Sequence, residues 1–70
     1  MMPLTLCPLG ESNIIKKVGG RPDTKKFLES LGFVAGGEVC IVAAMGGNLI
    51  VNIKESRVAV SKEMASKIMV

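Results

Sequence analysis

Five cations fall between positions 16 and 26: Lys16, Lys17, Arg21, Lys25 and Lys26, with Asp23 the lone acid among them. That window carries a net charge of +4 and the rest of the chain −1, within a total of +3. Cations at this density are able to serve recognition. They draw in an acidic partner surface and help set its register, and their effect weakens as salt rises. The plainer role of such a run is a solvated face on a slightly basic protein.

The other reactive groups are Cys7, Cys40 and scattered carboxylates, of which Glu11, Glu38 and Glu55 are the candidates for holding a cation. Histidine is absent, which removes the commonest general base and the commonest neutral metal ligand. Two thiols without histidine need carboxylates to complete a zinc site. Ferrous iron prefers harder oxygen and nitrogen donors, and the three glutamates have no ligand-like spacing. We therefore expect no catalytic residue, no resident cofactor and no tight metal site, and two reduced, largely buried thiols. The methionines, Met45, Met64 and Met69 among them, suit core filling better than a soft-metal site. An enzyme is disfavoured because no nucleophile and base fall into a known pattern.

Tryptophan and tyrosine are missing too, and the only aromatics are Phe27 and Phe33. Single-strand nucleic-acid binders stack bases on aromatic faces, so a nucleic-acid partner is not expected. Gly19-Gly20 and Gly46-Gly47 lack the lysine and hydroxyl residue that follow a phosphate-binding loop, and read as turns. No apolar run approaches the roughly 18 residues needed to cross a bilayer. Leu4-Thr5-Leu6-Cys7 has the outline of a lipoprotein box, but no basic residue or long apolar core precedes it. The expectation is a cytoplasmic protein.

Seventy residues suit a single domain spanning 1–70. A chain this short buries only about 60% of its unfolded surface, so every apolar side chain counts. Leu4–Cys7 alternates and reads as a first strand, ended by the Pro8–Glu11 turn. Ser12–Val18 is a second strand, with Ile14, Ile15 and Val18 as core candidates and imperfect alternation that suggests a bulge or bend. Pro22 and Asp23 start a helix, Asp23 as a possible cap, and Phe27, Leu28 and Leu31 form its apolar face. Gly32 stops it. Glu38–Ala44 is apolar on both faces, Gly46-Gly47-Asn48 turns the chain, and Leu49, Val51 and Ile53 alternate with Ile50, Asn52 and Lys54. Glu55-Ser56 is the next turn. Val58 and Val60 point inward, and Ser61 caps a last short helix containing Met64 and Ile68. The fold class is all-β with short helices: a small SH3-like β-barrel of about five strands, one helix between strands two and three, and a short C-terminal helix. In so small a barrel some of Phe33, Val34, Ile50, Met69 and Val70 stay exposed, as a partner or weak self-association surface.

The ordered set Leu28-x-x-Leu31-Gly32-Phe33-x-x-Gly36, Glu38-Val39, Gly46-Gly47 and Val58-Ala59-Val60, preceded by Leu6-Cys7-Pro8-Leu9-Gly10, resembles the FeoA family of ferrous iron transport proteins A. Ala35 and Met45 stand where that family usually has proline, which loosens two turns without removing their glycines. The resemblance implies an SH3-like accessory of FeoB, a membrane Fe(II) transporter with a GTPase domain. Any iron association is implied by it alone. With that partner, the basic window and the exposed apolar residues make Lys16, Lys17, Arg21, Lys25, Lys26, Phe33 and Val34 the expected docking surface, and a GTPase partner raises Arg21 or Arg57 as an arginine supplied in trans. The alternative is a regulatory module like the SH3-like domain of iron-dependent repressors, binding a transition metal ion or a proline-rich segment. A helix-turn-helix alongside would favour it, and none is legible in these residues.

Overall fold

Leu49, Val51 and Ile53 are buried while Asn48, Ile50 and Asn52 are not, the two-residue period of a strand with one face on a core. This strand is the centre of the fold. The structure, a computed structural model, describes all residues from Met1 to Val70. In chain order its elements are β1 (Ser12–Ile14), β2 (Lys17–Val18), α1 (Pro22–Ser30), β3 (Glu38–Met45), β4 (Asn48–Ile53), β5 (Ser56–Ser61), α2 (Lys62–Ala65) and β6 (Ile68–Met69). A 3₁₀ turn at Leu4–Leu6 precedes them.

The strands form two antiparallel sheets, one ordered β1-β3-β4-β5 and one pairing β2 with β6. β3 and β4 are joined through Gly46-Gly47, with Met45 opposite Asn48. Gly46 has φ +58°, and a hairpin that needs a positive φ at its first loop position favours glycine there. β4 and β5 are joined through Lys54-Glu55, with Ile53 opposite Ser56. That turn lies one residue earlier than the Glu55-Ser56 expected, and Lys54 takes a left-handed φ of 54°. Val42 is the extra residue of a bulge in β3, where the register slips between Ile41 and Ala43.

The Ser12–Val18 run is bent and divided between the sheets. Ser12–Ile14 pairs with β3 and Lys17–Val18 with β6. At the bend Ile15 donates to Gly37 O (2.8 Å), and Lys16 donates to Met69 O (2.8 Å). Ile15 is buried, but Ile14 is 52% exposed, so only one of the two adjacent isoleucines joins the core.

Two other expectations change. Leu4–Cys7 is not a strand: Leu6 donates to Pro3 O and Cys7 to Leu4 O, so the segment closes as a 3₁₀ turn that sinks Leu4 and leaves Leu6 exposed. The last helix stops at Ala65, and Ile68 belongs to β6, because Val18 and Lys17 offer it and Met69 a partner strand. Ser61 caps α2 as expected, its Oγ accepting from Met64 N at 3.1 Å.

Fourteen apolar side chains form one core between the sheets, with Leu4, Ile15, Leu28, Phe33, Val51 and Ile68 among the most enclosed. No polar or charged residue is buried with them, so no desolvation cost offsets the roughly 1.5–3 kcal/mol that a buried large aliphatic or aromatic side chain contributes.

Candidate functional site

Gly32 sets the geometry of the helix that carries the cations. It takes φ +107°, and Phe33 N–H reaches back to Leu28 O (3.0 Å), closing the helix end. That turn drives Phe33 into the core, where it is wholly enclosed. Phe33 therefore cannot belong to a partner surface. Val34 beside it is half-buried, its carbonyl accepting from Gly37 N at 2.9 Å. The helix also turns differently from the expected face: Leu28 is fully buried and Leu31 packs against the core, while Phe27 is 47% exposed. The two phenylalanines have exchanged places. The aromatic available beside the cations is Phe27, read from spacing as a core residue.

The five cations are all exposed. Lys16 lies at the bend between the sheets, Lys17 on β2, Arg21 at the N-cap of α1, and Lys25 and Lys26 on its next turn. Asp23 does not cap the helix. Arg21 holds the cap position without a side-chain hydrogen bond, its carbonyl accepting from Lys25 N (2.8 Å), and Asp23 sits in the first turn. The chain's side-chain hydrogen bonds touch none of these five cations. Arg57 differs: its Nε donates to Asn52 Oδ1 at 3.3 Å, so its side chain lies across β4.

The fold adds a cation that sequence spacing missed. β2 and β6 are paired, Gly19 N donates to Lys67 O at 2.7 Å, and Lys67 lies against Gly20. Arg21 and Lys67 thus share a cleft of about 470 Å³ with Gly20, Thr24, Glu63 and Met64. Lys67 lies more than forty residues from the basic window, and only the strand pairing brings it there.

A second groove, of about 490 Å³, runs over the outer face of the larger sheet and is lined by Ser12, Glu38, Cys40, Asn52 and Lys54. Ser12 Oγ donates to Glu38 Oε1 at 3.4 Å. Cys7 and Cys40 are both half-buried and not bonded to each other. Burial, and secondarily the carboxylate of Glu11, push the Cys7 thiol above its ordinary value and keep it protonated. Glu11, Glu38 and Glu55 are exposed at three separate places, and no three acidic or thiol side chains converge as a metal-holding group. No helix is long and apolar enough to cross a membrane.

The arrangement offers an electropositive edge with one exposed aromatic beside it, borne on a sheet scaffold that many proteins could share. Comparison with known proteins narrows the field. The FeoA domain model matches residues 2–70. A Methanocaldococcus jannaschii protein described as an Fe(2+) transport protein A is 31% identical over 70 residues, spanning all of this chain and 85% of that one. The structure of FeoA from Stenotrophomonas maltophilia complexed with zinc, described as a prokaryotic SH3 domain protein, superposes with TM-score 0.86 at 29% identity, over 99% of this chain and 88% of that one. A manganese-dependent transcriptional repressor shares the fold over 94% of this chain and 38% of its own, with TM-score 0.86 at 19% identity. With its SH3-like fold, its glycine-closed helix and a family match running almost end to end, the chain belongs to the FeoA family.

Proposed function

We propose that this chain is a small accessory of ferrous iron transport that works by contact, docking its basic edge on the cytosolic part of an FeoB-like membrane transporter with a GTPase domain. Family membership supports the transport role. The observation that supports the surface is where the charges sit. A helix dipole favours acids in the first turn and cations in the last, yet α1 has Arg21 at its N-cap, Lys25 and Lys26 in its first half, and no basic residue in its last turn. Stability of the isolated domain gives no reason for that order, and no side-chain hydrogen bond inside the chain engages these cations. An acidic surface on another protein does both.

The contact is electrostatic, so it speeds encounter and sets orientation more than it adds affinity. Phe27, exposed on the same helix, supplies apolar contact once the partner has closed on the edge. Iron is cargo in this reading, handled by the transporter, and the chain performs no catalytic step of its own.

The test is co-purification of the full-length transporter with wild type and with the Lys25→Glu, Lys26→Glu double variant, at low and high salt, followed by GTPase and iron-uptake assays. Wild type should bind more weakly as salt rises, and the variant should lose most of its low-salt binding while keeping its fold. Equal affinity and equal salt dependence in both would end the proposal. The other reading, a metal-responsive regulatory module, draws on the likeness to the manganese-dependent repressor and on the zinc in the Stenotrophomonas protein. Anaerobic calorimetry with Fe(II) separates the two, since stoichiometric binding to the isolated chain supports only that second reading.

A further inference from the structure

β5 is the last strand of the four-stranded sheet and has only β4 as a neighbour. The two-residue loop Lys54-Glu55 makes Ile53–Ser56 a hydrogen-bonded pair. Alternation then makes Val51–Val58 and Leu49–Val60 hydrogen-bonded pairs, and leaves Arg57 and Ala59 in the non-bonded ones. The backbone N–H and C=O of Arg57 and Ala59 therefore point away from β4, and no backbone hydrogen bond outside the ladder reaches them. Both residues are exposed.

Natural edge strands are usually blunted by proline, a bulge, a lysine or a covering loop. β5 has no proline, and its register with β4 runs unbroken from Ser56 to Ser61. Its one charged side chain, Arg57, is turned inward across the sheet to Asn52 and does not overhang the edge.

We propose that β5 pairs with β5 of a second copy of this chain, antiparallel across a two-fold axis at Val58. This inference is independent of the docking role. Charge and the end of the strand select the register. Centring on Arg57 sets arginine against arginine, and centring on Ala59 carries the pairing to Ser61, whose side chain is already committed to capping α2. Centring on Val58 places each Arg57 opposite the other copy's Ala59, with Val58 against Val58 in a close non-bonded pair. Arg57 and Ala59 each then exchange both backbone bonds with the second copy, which satisfies all four outward groups on each β5 and joins two four-stranded sheets into one. The interface is narrow, so the dimer is weak and grows with concentration.

Sedimentation equilibrium of the chain from micromolar to millimolar concentration tests this, alongside amide exchange at Arg57 and Ala59. Wild type should show a reversible monomer–dimer equilibrium, with both amides more protected at high concentration. Ala59→Pro removes a donor that the fold itself does not use and should leave a monomer. Because the axis counts each cross-strand pair twice, Ala59→Glu should raise the association constant about fivefold and Ala59→Arg lower it about fivefold. If Ala59→Pro disturbs the fold, this pair of charge variants decides. A wild type that stays monomeric at millimolar concentration overturns the proposal, as does a dimer that persists in folded Ala59→Pro or responds alike to glutamate and arginine. Capture of a foreign extended segment along β5 by a chain that remains monomeric overturns it equally.

Discussion

The meander of β3, β4 and β5 and the run that precedes it are built on different terms. In the meander, neighbours in sequence are neighbours in space: two-residue loops join the strands, and β4 alternates buried and half-buried side chains without interruption. In the first thirty-odd residues no strand pairs with a strand next to it in sequence. The 3₁₀ turn, β1, β2 and α1 each lean on something distant, β1 on β3 and β2 on β6. The surface charge follows the same division, since five of the nine basic residues lie in the locally unpaired part. A scaffold that folds from local contacts frees the rest of the chain to carry side chains chosen for recognition.

That contrast can be broken most severely at the two phenylalanines. Phe33→Ala removes a fully enclosed ring at the junction of helix and sheet and should cost about 3–5 kcal/mol, enough to unfold most of so small a domain. Phe27→Ala should stay within about 0.5 kcal/mol in urea titration. Similar losses at both positions would mean that α1 packs through its exposed face and that the division is wrong.

Gly32→Ala comes next. Its φ of +107° is strained for any side chain, and an added methyl would lie 3.5 Å from Ile53, so a loss of about 1–3 kcal/mol is expected. No loss would mean that the helix end can refold without a left-handed residue. Ser61→Ala, which removes the cap of α2, should cost about 1 kcal/mol and leave the β4–β5 hairpin unchanged in amide exchange.

The smallest effect belongs to Cys7. Its folded thiol titrates above the ordinary 9.0, so on raising the pH the unfolded chain loses its proton first and the folded state is weakened. The stability that the neutral thiol contributes is therefore complete below pH 9 and fades above it. Chemical denaturation across that range should show wild type losing slightly more stability than Cys7→Ser. Parallel curves would place Cys7 in water when folded.

Much of the meander was legible in the sequence because its signals are local. Leu49, Val51 and Ile53 alternate, Gly46-Gly47 turns the chain, Ser61 caps a helix, and Gly32 ends one. The errors fall where a local pattern admits two answers. Phe27 with Leu31, and Leu28 with Leu31, are both neighbouring pairs on a helix face, and only packing chooses between them. Leu4-Thr5-Leu6 alternates over too few residues to tell a strand from a tight turn. Ile68 is a plausible helix residue until Val18 pairs with it. For the recognition surface, the cationic window could be read directly, but Phe33 was misplaced with it and Lys67 left out. Both outcomes depend on contacts between distant segments.

The smaller sheet has one more property. β6 lies between β2 and the opening residues, with Pro3 bridged to Met69, and Met2 and Val70 exchanging both backbone hydrogen bonds at 2.9 Å. The middle strand of that layer is thus made by the last residues described, and its outer partner by the first. The larger sheet uses no residue after Ser61, but the smaller layer closes only when the 68–70 segment is paired on both of its sides. Opening of that seam would uncover part of the core that Leu4, Ile15 and Val18 share with Ile68 and Val70 without unpairing the meander.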